Sequence, residues 1–385
     1  MSTTIDFLKQ LIGFPTVSAE SNRVLIDYCA DILSHAGADV SIIESNTENK
    51  ANLYATLGPR NVPGVLLSGH TDVVPVEGQT WTVPPFEMTQ HEDKLFGRGT
   101  TDMKGFIASA LAAAELAATR RLKTPLHFAF SYDEEIGCVG VHSMIDMLEA
   151  APFRPLMCIV GEPTLMTVAT GHKGKTGCKV TCTGREGHSA LAPDALNAIY
   201  MACDLISFIR KLQEEVAISE IRDEDYDVPY TTLHVGNIEG GVALNIVPNH
   251  AGFKFEIRNL IEDDPQILLQ RIQDYSEKLL KSLRPQFPEA DIEISVFNTY
   301  PPLSTAKDAD IVNFVKSLSG SNATIKVAFG TEGGLFSSKL GIPTVICGPG
   351  SMAQGHKPDE FIASNQLAKC DAMLAALVDR LEVGL

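Results

Sequence analysis

Val65-Leu66-Leu67-Ser68-Gly69-His70-Thr71-Asp72 is a short apolar run that ends in a His-x-Asp pair. Its length and aliphatic character suit a buried strand. In an extended backbone, residues two apart share a face, so His70 and Asp72 can act together. The arrangement recurs along the chain. Leu126-His127-Phe128-Ala129-Phe130-Ser131 leads to Asp133-Glu134-Glu135, and Met157-Cys158-Ile159-Val160 leads through Gly161 to Glu162. Helical periodicity over 5–12, 24–35, 105–118 and 141–150 alternates with strand patterns over 40–43, 53–57, 65–68, 126–131 and 157–160. Such alternation predicts a mixed α/β sheet covered on both faces. Open sheets of this kind place their sites in the crevice outside the carboxyl ends of the strands.

The character changes after Gly174. Residues 175–183 alternate polar and apolar, 197–212 read as an amphipathic helix, 231–235 and 252–257 as strands, and 264–283 as a second helix. The order resembles a β-α-β-β-α-β unit. From Ile292 the earlier style returns, with a helix over 308–318, a strand over 344–347 and a helix over 365–381. A chain of 385 residues exceeds one typical core. The expectation is therefore a discontinuous domain of residues 1–174 plus 291–385, with a smaller α+β domain inserted at 175–290.

A formal charge of -17 argues against nucleic acid or an anionic membrane as the main partner. No apolar run approaches the roughly 20 residues that a membrane-spanning helix needs. Met1-Ser2-Thr3-Thr4-Ile5-Asp6 lacks a basic region followed by an apolar stretch, so a cytoplasmic location is expected. The eight cysteines are dispersed, and Cys178 and Cys182, the closest pair, have no second pair nearby. Free thiols in a reducing compartment follow. The acidic stretch 220–227 reads as a solvated loop.

Asp102 closes Gly97-Arg98-Gly99-Thr100-Thr101, and His356 lies in Gln354-Gly355-His356-Lys357-Pro358. Each group alone has a plain structural reading. A strand-end His is hydrogen-bonded, Asp102 caps the Ala-rich helix after it, and three adjacent acids lie on a surface. Three acids after a buried strand nevertheless repel one another unless cations or water screen them. Two imidazoles with several carboxylates suit two divalent ions of the zinc type, and hence metal-assisted hydrolysis.

Ser68-Gly69-His70-Thr71-Asp72-Val73-Val74-Pro75, Gly97 through Gly105, Asp133-Glu134-Glu135, Gly161-Glu162-Pro163-Thr164 and Gly355-His356-Lys357-Pro358-Asp359-Glu360 together resemble the signature of the M20 family of metallopeptidases and deacylases. The likeness covers nearly the whole chain. It implies a zinc-hydrolase catalytic domain with an inserted dimerisation (lid) domain, a homodimer, and a small N-acyl amino acid as substrate. It also implies two divalent metal ions, zinc with cobalt as a substitute, bridged by Asp102 and a water. His70 and Glu162 would complete one site, and Glu135 and His356 the other. Asp72 would orient His70, and the Asp102–Met103 peptide would be cis. Glu134 would act as general base and then acid.

The inserted domain carries His188, matching a histidine that relatives supply from the partner subunit to the oxyanion. Asn245 and Arg258 match substrate-contacting positions, and Arg258 suits an α-carboxylate held in a bidentate fork. Their plain readings are a surface His, a turn Asn and a salt-bridged Arg. Within the family, Glu332 in Phe329-Gly330-Thr331-Glu332-Gly333-Gly334 resembles the members that deacetylate N-acetylornithine, whereas desuccinylases tend to carry a small hydroxyl residue there. The expectation is that Glu332 receives the substrate's side-chain ammonium; the other reading is a helix start.

Overall fold

The structure is a computed structural model that describes residues 3–46 and 49–385; Met1, Ser2, Thr47 and Glu48 lie outside the described residues. The apolar runs become the centre of the main sheet. Val65–His70, Leu126–Ser131 and Thr344–Gly348 are buried along their whole length. Strands covered on both faces can be apolar at every position and pair in parallel. Accordingly Val65–His70 lies between Leu126–Ser131 and Met157–Pro163, parallel to both. Thr344–Gly348 continues in parallel beyond Met157–Pro163. The full order is Asp39–Glu44, Ala51–Leu57, Leu126–Ser131, Val65–His70, Met157–Pro163, Thr344–Gly348, Val168–His172 and Leu303–Ser304, with Thr324–Val327 also on Val168–His172. His70 stands opposite Ser131, so the carboxyl ends of these strands open on one edge of the sheet.

The strand pattern read over 157–160 stops short of the observed strand. That strand runs through Glu162 to Pro163, and Gly348 pairs with Pro163 across a register shift. Two glycines permit this. A Cβ on Gly161 would stand 1.9 Å from the Phe106 ring, and one on Gly348 would stand 1.9 Å from the Gly161 carbonyl oxygen. Phe106 belongs to the helix Lys104–Ala118, which is buried on most of its circumference. Small Ala side chains let it lie close against Thr3–Ile12 and Ser364–Val383, with which it shares the larger hydrophobic core.

The chain divides into one compact unit of residues 1–172 and 303–385 and a second of residues 173–302. In the second, the antiparallel sheet runs Thr232–Gly240, His250–Arg258, Lys175–Thr183, Asp291–Tyr300. The helices Ala198–Ala217 and Pro265–Leu283 contribute their apolar faces to its separate core. Asn197 and Asp264 cap these helices by accepting backbone N–H bonds. The return crossing thus lies at Pro302, not near residue 290. Residues 291–300 pair with Lys175–Thr183, a relation between distant segments that their own pattern does not carry.

The acidic stretch 220–227 is exposed apart from Asp223 and Tyr226. Seven of the eight cysteines are buried thiols, Cys203 is exposed, and no disulfide occurs among the described residues. No helix among them is long and apolar enough to cross a membrane.

Within the main sheet, burial lowers the His127 pKa to about 4, and the Thr56 hydroxyl lies 2.9 Å from its Nδ1. The unfolded chain takes up this proton first, near pH 6.5. The contribution of neutral His127 is therefore complete above that pH and is eroded as pH falls toward 4. Urea titrations at pH 7.5 and 5 are expected to show a larger loss in wild type than in His127→Gln, by at most about 2 kcal/mol.

Candidate metal centre

Five segments meet at the open edge of the main sheet. His70 ends its strand, Glu162 lies in the neighbouring strand, Asp102 precedes the helix Lys104–Ala118, and the loop after Leu126–Ser131 brings Glu134 and Glu135. His356 comes from the loop after Thr344–Gly348, with a left-handed φ of 59°. Two donor groups result: His70, Asp102 and Glu162, all buried, and Asp102, Glu135 and His356, of which His356 is exposed. Within each group the ligand atoms lie within 4.8 Å of one another. Asp102 belongs to both. Its Oδ1 is 3.1 Å from His70 Nε2 and its Oδ2 is 3.2 Å from His356 Nε2. Glu162 Oε1 lies 3.4 Å from His70 Nε2, and Glu135 Oε2 lies 2.9 Å from His356 Nε2. The Asp102–Met103 peptide is cis.

Charge crowding leaves its mark on every group. Burial opposes ionisation of Asp102, but His356 and His70 outweigh it and hold the carboxyl below its usual range. Burial and the Asp102 charge push Glu135 and Glu162 up to about 7. Contacts with Asp102 and Glu135 raise His356 to about 10. Burial also raises Glu134, further helped by Glu162, Glu135 and Glu332, while His70 opposes it. Glu135 Oε1 and Glu162 Oε2 are buried without a hydrogen-bond donor. Such oxygens are costly unless something positive meets them. A hard or borderline divalent cation in each group fits them, and the N/O donor set suits zinc.

Asp72 faces His70 and also holds the acidic loop. The closest partner of His70 Nδ1 is the Asp72 main-chain oxygen at 2.9 Å, while its carboxylate stands 3.5 Å away. That carboxylate accepts from Glu134 N–H at 3.1 Å, Glu135 N–H at 3.3 Å and the Ser18 hydroxyl at 2.7 Å. Asp72 therefore holds the acidic loop at least as directly as the imidazole. Asp133, the first acid of the run, is buried against Lys50 and accepts from Ala19 N–H at 2.9 Å. Cys138 donates its thiol to Glu134 Oε1 at 3.3 Å.

Glu332 is only 2% exposed and directly precedes the helix Gly333–Leu340. Its side chain makes no cap bond; the Ser68 hydroxyl reaches Oε2 at 3.3 Å, and Oε1 has no hydrogen-bond partner. Burial pushes its carboxyl up to about 7. Glu332 is thus a buried carboxyl beside Ser68 in this structure.

The remaining expected residues lie in the second unit. His188 is exposed, and its Nδ1 accepts from Ala190 N–H at 3.1 Å, which leaves Nε2 as the protonated nitrogen of the neutral ring. Asn245 is exposed, and its main-chain oxygen accepts from Ser189 N–H at 3.0 Å. Arg258 Nε donates to Glu256 at 3.0 Å and Nη1 to the Tyr300 hydroxyl at 2.7 Å, so part of its fork is already engaged.

One buried pair escaped the sequence reading. Glu360 and Arg98 are each 1% exposed and meet at 2.8 Å. Glu360 also accepts from the N–H groups of Gly99, Thr101 and Asp102 at 2.9, 2.9 and 3.1 Å. Its position four residues after His356 is the one local hint.

A sheet edge that collects two donor groups around a shared carboxylate defines a metal-dependent hydrolase. Residues 66–380 match the model of Peptidase family M20/M25/M40, and the chain belongs to that family. It is 32% identical over 384 residues to an acetylornithine deacetylase of Pasteurella multocida, covering 97% of each chain. Its fold is similar to that of an M20 family metallo-carboxypeptidase from Sulfolobus solfataricus, with a TM-score of 0.81, 20% identity and full coverage of both chains. A dinuclear metal-binding M20 peptidase from Bacillus subtilis superposes with a TM-score of 0.69 at 15% identity, over 97% of this chain and 96% of that one.

Removing the Glu360 charge strands Arg98 and three N–H groups. Glu360→Ala is expected to cost about 3–5 kcal/mol, the usual penalty for breaking a buried pair, in a denaturant titration of the metal-free protein.

Proposed function

We propose that the chain hydrolyses N2-acetyl-L-ornithine to L-ornithine and acetate, a step of arginine biosynthesis. The observation that carries the hydrolytic part is the pair of donor groups sharing Asp102. The substrate rests on full-length likeness to the Pasteurella multocida deacetylase. His70, Asp102 and Glu162 would hold one divalent ion, and Asp102, Glu135 and His356 the other. Two zinc ions there would supply Lewis acidity to the amide carbonyl and lower the pKa of a bound water to about 7.

The chain's own residues do the rest. Glu134 lies beside Glu135 but outside both donor groups, so its carboxylate is free to accept a proton from the attacking water. It then delivers that proton to the departing amine. Asp72, through the N–H groups of Glu134 and Glu135, keeps this loop in place. In a homodimer, His188 of a second copy would offer its Nε2–H to the developing oxyanion. Arg258, through the edge not bound to Glu256 or Tyr300, would take the α-carboxylate, and Asn245 would contact the substrate. Glu332 would favour a cationic side chain through its field, since its charge also acts on Glu134 and Glu162. A cytoplasmic location accords with this biosynthetic role.

Acetate release should require zinc restored to the metal-free protein and should fall about 10²–10⁴-fold in Glu134→Gln. Zinc-dependent turnover that is faster on N-succinyl-diaminopimelate or N-acetylmethionine would keep the mechanism and change the substrate. No turnover on any of them would overturn the reading. Glu332→Gln is expected to narrow the preference for N-acetylornithine over N-acetylmethionine about tenfold, the size of a weak charge interaction near 1.4 kcal/mol. An unchanged ratio of kcat/KM values removes Glu332 from specificity.

A further inference from the structure

The two donor groups are supported unequally. His70, Asp102 and Glu162 stand on or beside elements of the sheet and are buried, whereas His356 has half its side chain exposed. Its loop has left-handed backbone at His356 and Asp359, and His356, Lys357 and Pro358 are all exposed. A ligand on such a loop needs a tether, or its ring will not return to the same place.

One side chain provides it. The Gln79 amide donates to the His356 main-chain oxygen at 3.0 Å. Its Oε1 accepts from Arg98 Nη2 at 2.6 Å and from Trp81 Nε1 at 3.2 Å. Arg98 in turn lies under the Trp81 ring, 5.0 Å from its centroid, and pairs with Glu360. Glu360 holds the Asp102 N–H. Gln79 thus links the backbone of one ligand to the charged pair beneath another. Thr82 adds a parallel clamp, donating its N–H and hydroxyl to Asp359 at 2.8 and 2.9 Å, but it reaches neither His356 nor Arg98.

We propose that Gln79 is a positioning residue that ties His356 to the Arg98–Glu360 pair and thereby sets the affinity of the Asp102–Glu135–His356 cation site. The inference rests on the two-cation reading above. The buried His70–Asp102–Glu162 group, which Gln79 does not touch, is left nearly unaffected.

The test is calorimetric titration of zinc into the metal-free full chain, comparing wild type with Gln79→Ala and Gln79→Glu. Thermal denaturation of each metal-free protein checks the fold. Wild type should take up two equivalents. Gln79→Ala should keep the affinity of the first within about twofold and weaken the second about 10- to 100-fold, as loss of a group that orients a ligand commonly does. Gln79→Glu retains an acceptor for Arg98 and Trp81 but has no N–H for the His356 carbonyl, so it should weaken the second step too. It carries the test alone if Gln79→Ala does not fold. A second affinity that survives in Gln79→Glu overturns the proposal, as does equal weakening of both steps. A wild-type protein that takes up one zinc or none overturns the two-cation reading, and this proposal with it.

Discussion

The structure turns on one carboxylate divided between two imidazoles. Asp102 presents separate oxygens to His70 and His356, and Glu162 and Glu135 stand behind them. Like charges this close, out of water, cannot all stay ionised without positive partners. Asp102 is held down while the crowding lifts Glu135 and Glu162 to about 7, so protons compete for these carboxylates. Divalent cations would displace those protons, which couples metal binding to pH and to folding.

Holding such a site takes buried charge of a different kind. Glu360 and Asp72 are carboxylates that accept main-chain N–H bonds, three from the Gly99–Asp102 turn and two from the Glu134–Glu135 loop. These bonds fix loops that no regular ladder reaches. A buried pair such as Arg98–Glu360 adds little net stability compared with apolar packing. Its value here is directional, because it orients the peptide that carries Asp102. The glycines at 161 and 348 do the complementary work inside the sheet, letting the Glu162 strand run close under Phe106.

The two units were legible to different degrees for a physical reason. Strands buried on both faces, such as 126–131, declare themselves by composition alone, and the structure matches that range residue for residue. The helix starting at Ala198 runs to Ala217, past the expected 212, because its apolar stripe continues through Val216. The strand Asp291–Tyr300 was assigned to the wrong unit. It is half exposed and irregular in burial, and only its pairing with Lys175–Thr183 places it.

The donor residues and their positions near strand ends could be read from the chain, because residue type and a neighbouring apolar run are local properties. So could the α/β class and the presence of an insertion. Which oxygen faces which imidazole could not, since it depends on segments brought together from far apart. Glu360 binds the Asp102 N–H across 258 residues, and Gln79 reaches His356 across 277. Glu332 shows the same limit in burial. Its sequence context suggested a residue that meets the substrate, and the fold shows a buried charge beside Ser68, which the context does not reveal. Long-range packing sets desolvation, and desolvation sets what a carboxylate can do.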